Sequence, residues 1–526
     1  MINLKAKLCY WRFLLSWRPY LLIVILGLLL YGQSLFFGLT YLDDNTLLIG
    51  NREIIGNISN LPLIFSDDVF FSDSNFYYRP MLNFSFMIDI FFAGDNLSFY
   101  FLSNILLHLT VSCLVFYLFK KIISRKAVAF LLSLIFLIHP AVTQAVVWLP
   151  GRNDSILAAF SLLAFLFLIR FNERPGLPPL ILYTVFFWLA LLTKESAVFI
   201  PILAIIYFFT IGRNQSTSKS EKFLVFLMSF LAGTAWYLLR RLAFNSESFG
   251  YLEAARSMIN NYPAIIIFFG KMLLPFNLNV FPVLENSSLI FGIIAIIFLS
   301  IAIILSKNRS GSSLVFGLAW MLIFLIPTLL RIDGQPDFLE HRMYLPLIGF
   351  LIIISEIDWI KQINFKNLPT KFIVLTIFTI FIVITFFHSQ HFKNKLVFWE
   401  SAVKDSPRSV LVQKNMGAMY YLEERFEEAE KHYLEALRLE PSEPMVNNNI
   451  GLIYVERGDE STAEKFFLKE LSLYPNYDKA LFNLGFLYYK QGKMVEARYL
   501  LESCLRSNPR HADAYRYLEL IYNQKK

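Results

Sequence analysis

Apolar runs close to 18 residues long recur from about Leu21 to Phe387. A run of that length crosses a hydrocarbon core about 30 Å thick as a helix, because lipid offers the backbone no other hydrogen-bond partner. This excludes a soluble globular fold for most of the chain. Only 17% of the 526 residues are charged and 56% are hydrophobic, with mean hydropathy +0.52. The formal net charge of +8 does not call for nucleic acid. Residues 391–526 hold 20 Lys+Arg and 20 Asp+Glu, so the whole excess lies in the apolar region. The positive-inside rule puts it there.

Lys5, Lys7, Arg12 and Arg18 precede the first run with no acid among them, so the N-terminus is expected in the cytoplasm. The run from about Leu21 to Phe37 exceeds a signal-peptide core and reads as an uncleaved first span. A polar loop from about Gly38 to Leu97 follows. It has Asp43, Asp44, Asp67, Asp68, Asp73, Asp89 and Asp95 against Arg52 and Arg79, which suits the non-cytoplasmic side. Later spans are expected near 99–119, before His139, near 155–169, on either side of Lys194-Glu195, and near 223–239, 289–305, 314–330, 344–356 and 372–387. Ala264 to Leu274 is short, is followed by Pro275, and reads as a half-span. Eleven crossings place everything after His388 outside the cytoplasm. A full crossing by the short segment gives twelve and turns the C-terminus inward. Cys9, Cys113 and Cys504 suggest no disulfide, and no metal-binding Cys or His spacing occurs.

The last part of the chain repeats itself. Gly417, Gly451 and Gly485 stand 34 apart, as do Tyr420, Tyr454 and Tyr488, and Ala429, Ala463 and Ala497. Pro407, Pro441, Pro475 and Pro509 complete the register. This is the tetratricopeptide (TPR) pattern, in which small residues let two helices approach and proline separates repeats. The fold class expected is therefore all-α: a polytopic membrane domain over 1–390, then a TPR solenoid over 391–526. The solenoid divides into a half-repeat (391–409), repeats at 410–443, 444–477 and 478–511, and a capping helix (512–526). Such solenoids bind peptides or partner proteins.

Six polar clusters fall on the outer side of this topology. They are Asp43-Asp44, Tyr78-Arg79-Pro80, His108, His139-Pro140 with Gly151-Arg152-Asn153-Asp154, Lys194-Glu195, and Glu340-His341-Arg342. Singly, each has an ordinary structural role: His108 as a helix-contact histidine, Arg79 and Arg342 as snorkelling anchors. Together they suit one chemistry. A sugar on a lipid phosphate has an anionic leaving group, which Arg or Lys can hold. A carboxylate can take the proton of an attacking hydroxyl.

In this order, and with Glu340-x-Arg342-x-Tyr344-x-Pro346 and the repeats after them, the motifs resemble the GT-C glycosyltransferases. More narrowly, the whole chain is similar to the transmembrane-and-TPR O-mannosyltransferase family and its bacterial relatives. The resemblance implies transfer of a sugar, mannose in the family, from a polyprenyl-phosphate carrier to protein Ser/Thr outside the cytoplasm. It implies Asp43 or Asp44 as the base. Arg79, Arg152, Lys194 and Arg342 become phosphate or sugar contacts, and Glu195 and Glu340 orient those cations. His108, His139 and Asp154 complete the substrate-binding set. No cofactor is demanded, although a divalent metal, Mg or Mn, bridging Asp43, Asp44 and the phosphate stays open. The repeats are far fewer than in animal members, so a bacterial inner-membrane member with a periplasmic solenoid fits the resemblance better than one of the endoplasmic reticulum. The partners implied are the lipid-linked sugar, the bilayer and an acceptor polypeptide or partner protein. The alternatives are a non-enzymatic membrane anchor that holds a TPR scaffold for envelope protein assembly, and a transporter or flippase for a lipid-linked glycan.

Overall fold

The computed structural model describes residues 13–71, 77–213, 215, 217–243, 251–330 and 338–523. Lys5, Lys7, Cys9, Arg12 and Asp73 lie outside the described residues. The chain divides into two compact units, 1–398 and 399–526. Among the described residues every regular element is helical.

In the first unit each expected apolar run is a helix. Six are long and apolar enough to cross a membrane: Arg18–Phe36, Leu97–Ile122, Leu149–Glu173, Lys219–Ala243, Gly311–Leu329 and Leu368–Gln390. A seventh is a broken pair, Lys126–Ile138 and Pro140–Val147, bent by 52°. Pro140 supplies the break, since it cannot donate to the preceding turn. The His139 ring accepts the Ala141 amide and caps the new turn. Leu177–Leu191, Ile200–Phe209, Ile290–Leu305 and Tyr344–Ile354 are shorter apolar helices. Pro263–Leu273 has 11 residues and reaches about 16 Å. That is half a hydrocarbon core, and Tyr344–Ile354, expected as a full crossing, has the same 11 residues.

The polar loop expected after the first span contains a helix of its own. Pro80–Ala93 is a helix with Pro at its first position and Gly94 (φ 59°) at its end. Asn83 and Asp89 lie on its buried side, while Phe91 and Phe92 are exposed. Its polar residues face protein rather than water, which mean hydropathy along a loop cannot register.

Helices in this unit touch through small residues. A Cβ on Gly349 would lie 2.5 Å from the Gly317 carbonyl, and one on Gly317 would lie 2.9 Å from the Gly349 carbonyl. In lipid, close backbone approach of this kind drives helix association, because apolar side chains gain little from leaving the tails.

The second unit consists of helix pairs: Val410–Leu422 with Phe426–Leu439, Val446–Glu456 with Glu460–Leu473, and Asp478–Lys490 with Met494–Ser507. Ala512–Asn523 closes the series. The repeat glycine has a direct cause. A Cβ on Gly451 would lie 2.6 Å from the Phe467 ring, and one on Gly417 would lie 2.7 Å from the Tyr433 ring. The aromatic therefore fills the space that glycine leaves. Replacing Gly451 by Val is expected to destabilise this unit by about 1–3 kcal/mol through overpacking. Thermal unfolding followed by helical circular dichroism on the full chain checks it. An unchanged transition would show that the pair can slide apart at no cost.

Candidate active site

Asp43 and Asp44 sit in a tight turn that follows the first span and precedes a π-helix, Asn45–Gly50. Tyr41 (φ 61°) and Asp43 (φ 67°) both occupy the left-handed region. Such conformations cost of order 1–3 kcal/mol each and gather at functional sites. Asp44 holds the turn. It is 1% exposed, and its carboxylate accepts the Thr40 amide at 2.8 Å, the Thr40 hydroxyl at 2.9 Å and the Tyr41 amide at 2.7 Å. Burial pushes its carboxyl up to about 6, against the pull of those three donors. Asp43 is the exposed member of the pair. The sequence left the two as equals; the turn gives them different work.

The turn is tied to the bundle. The Trp148 indole N–H donates to the Leu42 carbonyl at 3.0 Å. The Gly38 amide donates to the Lys393 carbonyl at 2.8 Å. The Trp148 ring also packs on His341, with centroids 5.3 Å apart. One indole thus joins the Asp43 turn to the segment that carries Glu340, His341 and Arg342.

Around His341 several sequence-predicted residues converge. Lys194 Nζ bonds both Asp154 oxygens, at 2.8 and 3.0 Å. His341 Nε2 is 3.8 Å from Asp154, and the His341 amide donates to Gln144. Arg79 pairs with Glu195 at 3.4 Å and lies over the Tyr77 ring. Arg342 donates to the Thr328 carbonyl. Burial lowers the Lys194 pKa; Asp154 opposes this, and the Arg79 and Arg342 charges add to it. Burial, and then Lys194, Arg342 and Arg79, push His341 well down, so its ring is neutral at pH 7. Three cations thus share one corner with two carboxylates and a neutral imidazole.

The other expected site residues are occupied elsewhere. Arg152 is 1% exposed. Its guanidinium bonds Asn104 (2.7 Å), Asp89 (2.5 Å) and the Tyr100 carbonyl (2.8 Å), and it stacks on Phe86. It is a strut between three helices, with no edge turned to a ligand. His108 is buried between the Tyr344 hydroxyl (2.6 Å) and the Leu137 carbonyl (3.0 Å). His139 bonds the Met272 carbonyl at 3.0 Å. Both are bundle contacts, because their ring nitrogens are taken up by protein. Glu340 orients cations, but not Arg342. It is fully buried between Lys271 and His388, at 2.8 and 2.7 Å, and also accepts the Asn279 amide. Burial alone would raise its carboxyl, yet Lys271 and His388 hold it down at about 2.

Sequence reasoning passed over Trp148, Gln144, Lys271 and His388, and did not count His341 as a site residue. Lys271 had a signal: it is the one charge in the Ala264–Leu274 stretch, and intramembrane charges require partners. Trp148 had none, since its role depends on a carbonyl 106 positions away.

Both Asp44 oxygens already take donors. Among the described residues no three His, Cys, Asp or Glu side chains converge as metal ligands.

A model of dolichyl-phosphate-mannose-protein mannosyltransferases matches residues 80–238, and tetratricopeptide models match 410–443 and 479–511. A protein O-mannosyl-transferase of Caenorhabditis elegans is 25% identical over 382 residues, covering 69% of this chain and 54% of that protein. The mouse protein O-mannosyl-transferase TMTC1 is 36% identical over 90 residues, covering 17% of this chain and 10% of that protein. Among solved structures, the first TPR of Spaghetti (RPAP3) with an HSP90 peptide is 25% identical, with a TM-score of 0.22. That likeness covers 23% of this chain and 94% of the other. The chain spans about half the length of the worm relative. These matches bear out the resemblance read from the motif order and the repeats.

Proposed function

We propose, on the premise of that resemblance, that this chain is a membrane glycosyltransferase acting on a polyprenyl-phosphate sugar. The observation that carries the reading is the Trp148 link, which joins an exposed carboxylate on a strained turn to a corner holding Arg79, Lys194 and Arg342. A carboxylate and a group of cations are thus tied to one indole, and a displacement at a sugar carbon uses both kinds of charge.

In the proposed step an acceptor hydroxyl gives its proton to Asp43 as its oxygen attacks the anomeric carbon. The bond from that carbon to the phosphate oxygen breaks, with inversion. The lipid phosphate leaves with the bonding pair and an added negative charge, which Arg342, Arg79 and Lys194 offset. Asp154 and Glu195 hold Lys194 and Arg79 in place. Neutral His341 can donate a hydrogen bond to phosphate without adding to the crowding of positive charge. Asp44 keeps the turn closed. The names of the relatives favour mannose as the sugar and a protein hydroxyl as the acceptor. The acidic composition of the first loop favours the non-cytoplasmic face. The step as written needs no metal, and both Asp44 oxygens already accept hydrogen bonds.

The test is transfer of radiolabelled mannose from polyprenyl-phosphate-mannose to envelope or secretory protein by the purified chain in nanodiscs. Label on protein is expected, at a rate unchanged by EDTA. A rate that collapses with EDTA and returns with Mg or Mn would overturn the metal-free step. If no donor is consumed and Asp43→Asn complements a deletion, the scaffold reading replaces the enzyme.

A further inference from the structure

The end of the first span farthest from the Asp43 turn carries a groove that the function above does not use. Tyr20 lies in the first turn of the helix Arg18–Tyr31, and the rise from Tyr20 to Tyr31 is about 16 Å. Between this helix and Leu97–Ile122 lies a cavity of about 430 Å³. Tyr20 and Val24 line one side of it, and Leu109, Thr110, Cys113 and Tyr117 the other. Thr110 turns its hydroxyl back onto the Leu106 carbonyl of its own helix, so that wall is apolar. Leu106 and Tyr117 are half exposed, so the groove opens outward from the bundle. Toward the middle of the span Leu109 packs on Gly27, where a Cβ would collide with it, and closes the groove. Lys120 stands at the other end. Its ammonium lies over the Tyr20, Phe116 and Tyr117 rings, 5.0, 5.0 and 5.6 Å from their centroids. The neighbouring Lys121 is paired with Glu173 at 2.8 Å. Among the described residues no acid pairs with Lys120, and the Tyr20 and Tyr117 hydroxyls make no hydrogen bond.

We propose that this groove holds one anionic glycerophospholipid, with an acyl chain along the Val24 and Leu109 walls and the phosphate against Lys120. Ring faces attract an ammonium through their quadrupole but bring no net negative charge. Lys120 is therefore held in place and still uncompensated. Its N–H groups and the two tyrosine hydroxyls are donors that phosphate oxygens can take up. Tyrosines at the ends of spans sit at headgroup level, and basic pockets between spanning helices bind anionic headgroups. Continuity favours a lipid over free phosphate. The cation stands at the mouth of an apolar groove, so a ligand with both a charge and a hydrocarbon tail satisfies both parts. A zwitterionic lipid fills the groove equally well but brings a cation of its own toward Lys120. The sugar donor's lipid is disfavoured by place, since its phosphate belongs by the Asp43 turn, past the other end of the first span. The reading does not depend on sugar transfer. It needs only that these two helices cross a bilayer.

The experiment places the full chain in phosphatidylcholine nanodiscs with a trace of a photoactivatable probe. The probe is phosphatidylglycerol or phosphatidylcholine with a diazirine on the acyl chain, and crosslinked peptides are quantified by mass spectrometry. Labelling of residues 106–117 should be about fivefold stronger from phosphatidylglycerol, the factor that one Lys contributes against an anionic headgroup. Lys120→Gln should bring the two probes level there. Lys222→Gln, which removes another cation set on a ring, that of Phe208, should leave the preference unchanged. Thr110→Trp fills the groove and should remove the labelling by both probes. Equal labelling in wild type, or a preference that survives Lys120→Gln, would overturn the proposal. Displacement of the phosphatidylglycerol probe by inorganic phosphate would also overturn it, in favour of a free-anion site. Displacement by an equimolar amount of undecaprenyl phosphate would overturn it in favour of the donor's own path. If Lys120→Gln fails to insert, the two probes on wild type and on Thr110→Trp still decide.

Discussion

Asp43→Asn is expected to lower sugar transfer by at least about a hundredfold, the usual contribution of a general base, with insertion and thermal stability unchanged. Asp43 is exposed on the turn, and it is the buried Asp44 carboxylate that accepts the Thr40 and Tyr41 donors. Asparagine also tolerates the left-handed backbone that Asp43 adopts. The matched variant, Asp44→Asn, should behave differently. The Asp44 carboxylate receives donors on both oxygens, and an amide can satisfy only one side. Its NH₂ would face another N–H, and the turn would open. Transfer should then fall together with thermal stability. The two variants are separated by measuring transfer rate against pH beside unfolding temperature. If Asp43→Asn transfers normally while Asp44→Asn is inactive yet stable, the base is Asp44 and the turn has another support.

Arg152→Ala should leave little folded protein. Removing one partner of a buried ion pair costs about 3–5 kcal/mol, because the other charge is stranded. Here the stranded group is Asp89, whose side chain is 4% exposed. Arg152→Lys should not rescue it. A guanidinium fork reaches Asn104, Asp89 and the Tyr100 carbonyl at once, and an ammonium cannot. Asp89→Ala should cost a similar amount. The pair Arg152→Met with Asp89→Leu should regain much of the loss, since no charge is left unpaired. Monodispersity and unfolding temperature in detergent check this. An Arg152→Ala protein with native stability and no transfer would restore Arg152 to the substrate, as the sequence alone suggests.

Both predictions turn on residues whose importance was plain in the sequence and whose roles were not. Arg152 and Arg79 looked alike as cations at one membrane face. Arg152 is closed in by partners 48 to 63 positions away, while Arg79 is half-buried beside Glu195 at the candidate site. Glu340 seemed made for Arg342, two residues on, but bonds Lys271 and His388, 69 and 48 positions away.

The sequence by itself determined the apolar helical unit, the TPR register and the order of the polar motifs. Each of these is set by local spacing: a run long enough to cross lipid, or a glycine every 34 positions opposite a large side chain, Tyr433, Phe467 or Leu501. Only the tertiary structure decided that Asp44 closes the turn and Asp43 faces out, that Trp148 joins this turn to His341, and that Arg152, His108 and His139 are internal supports. The reason is physical. Whether a polar side chain is available for chemistry depends on which donors and acceptors surround it, and in a helical bundle those come from helices far away in the chain.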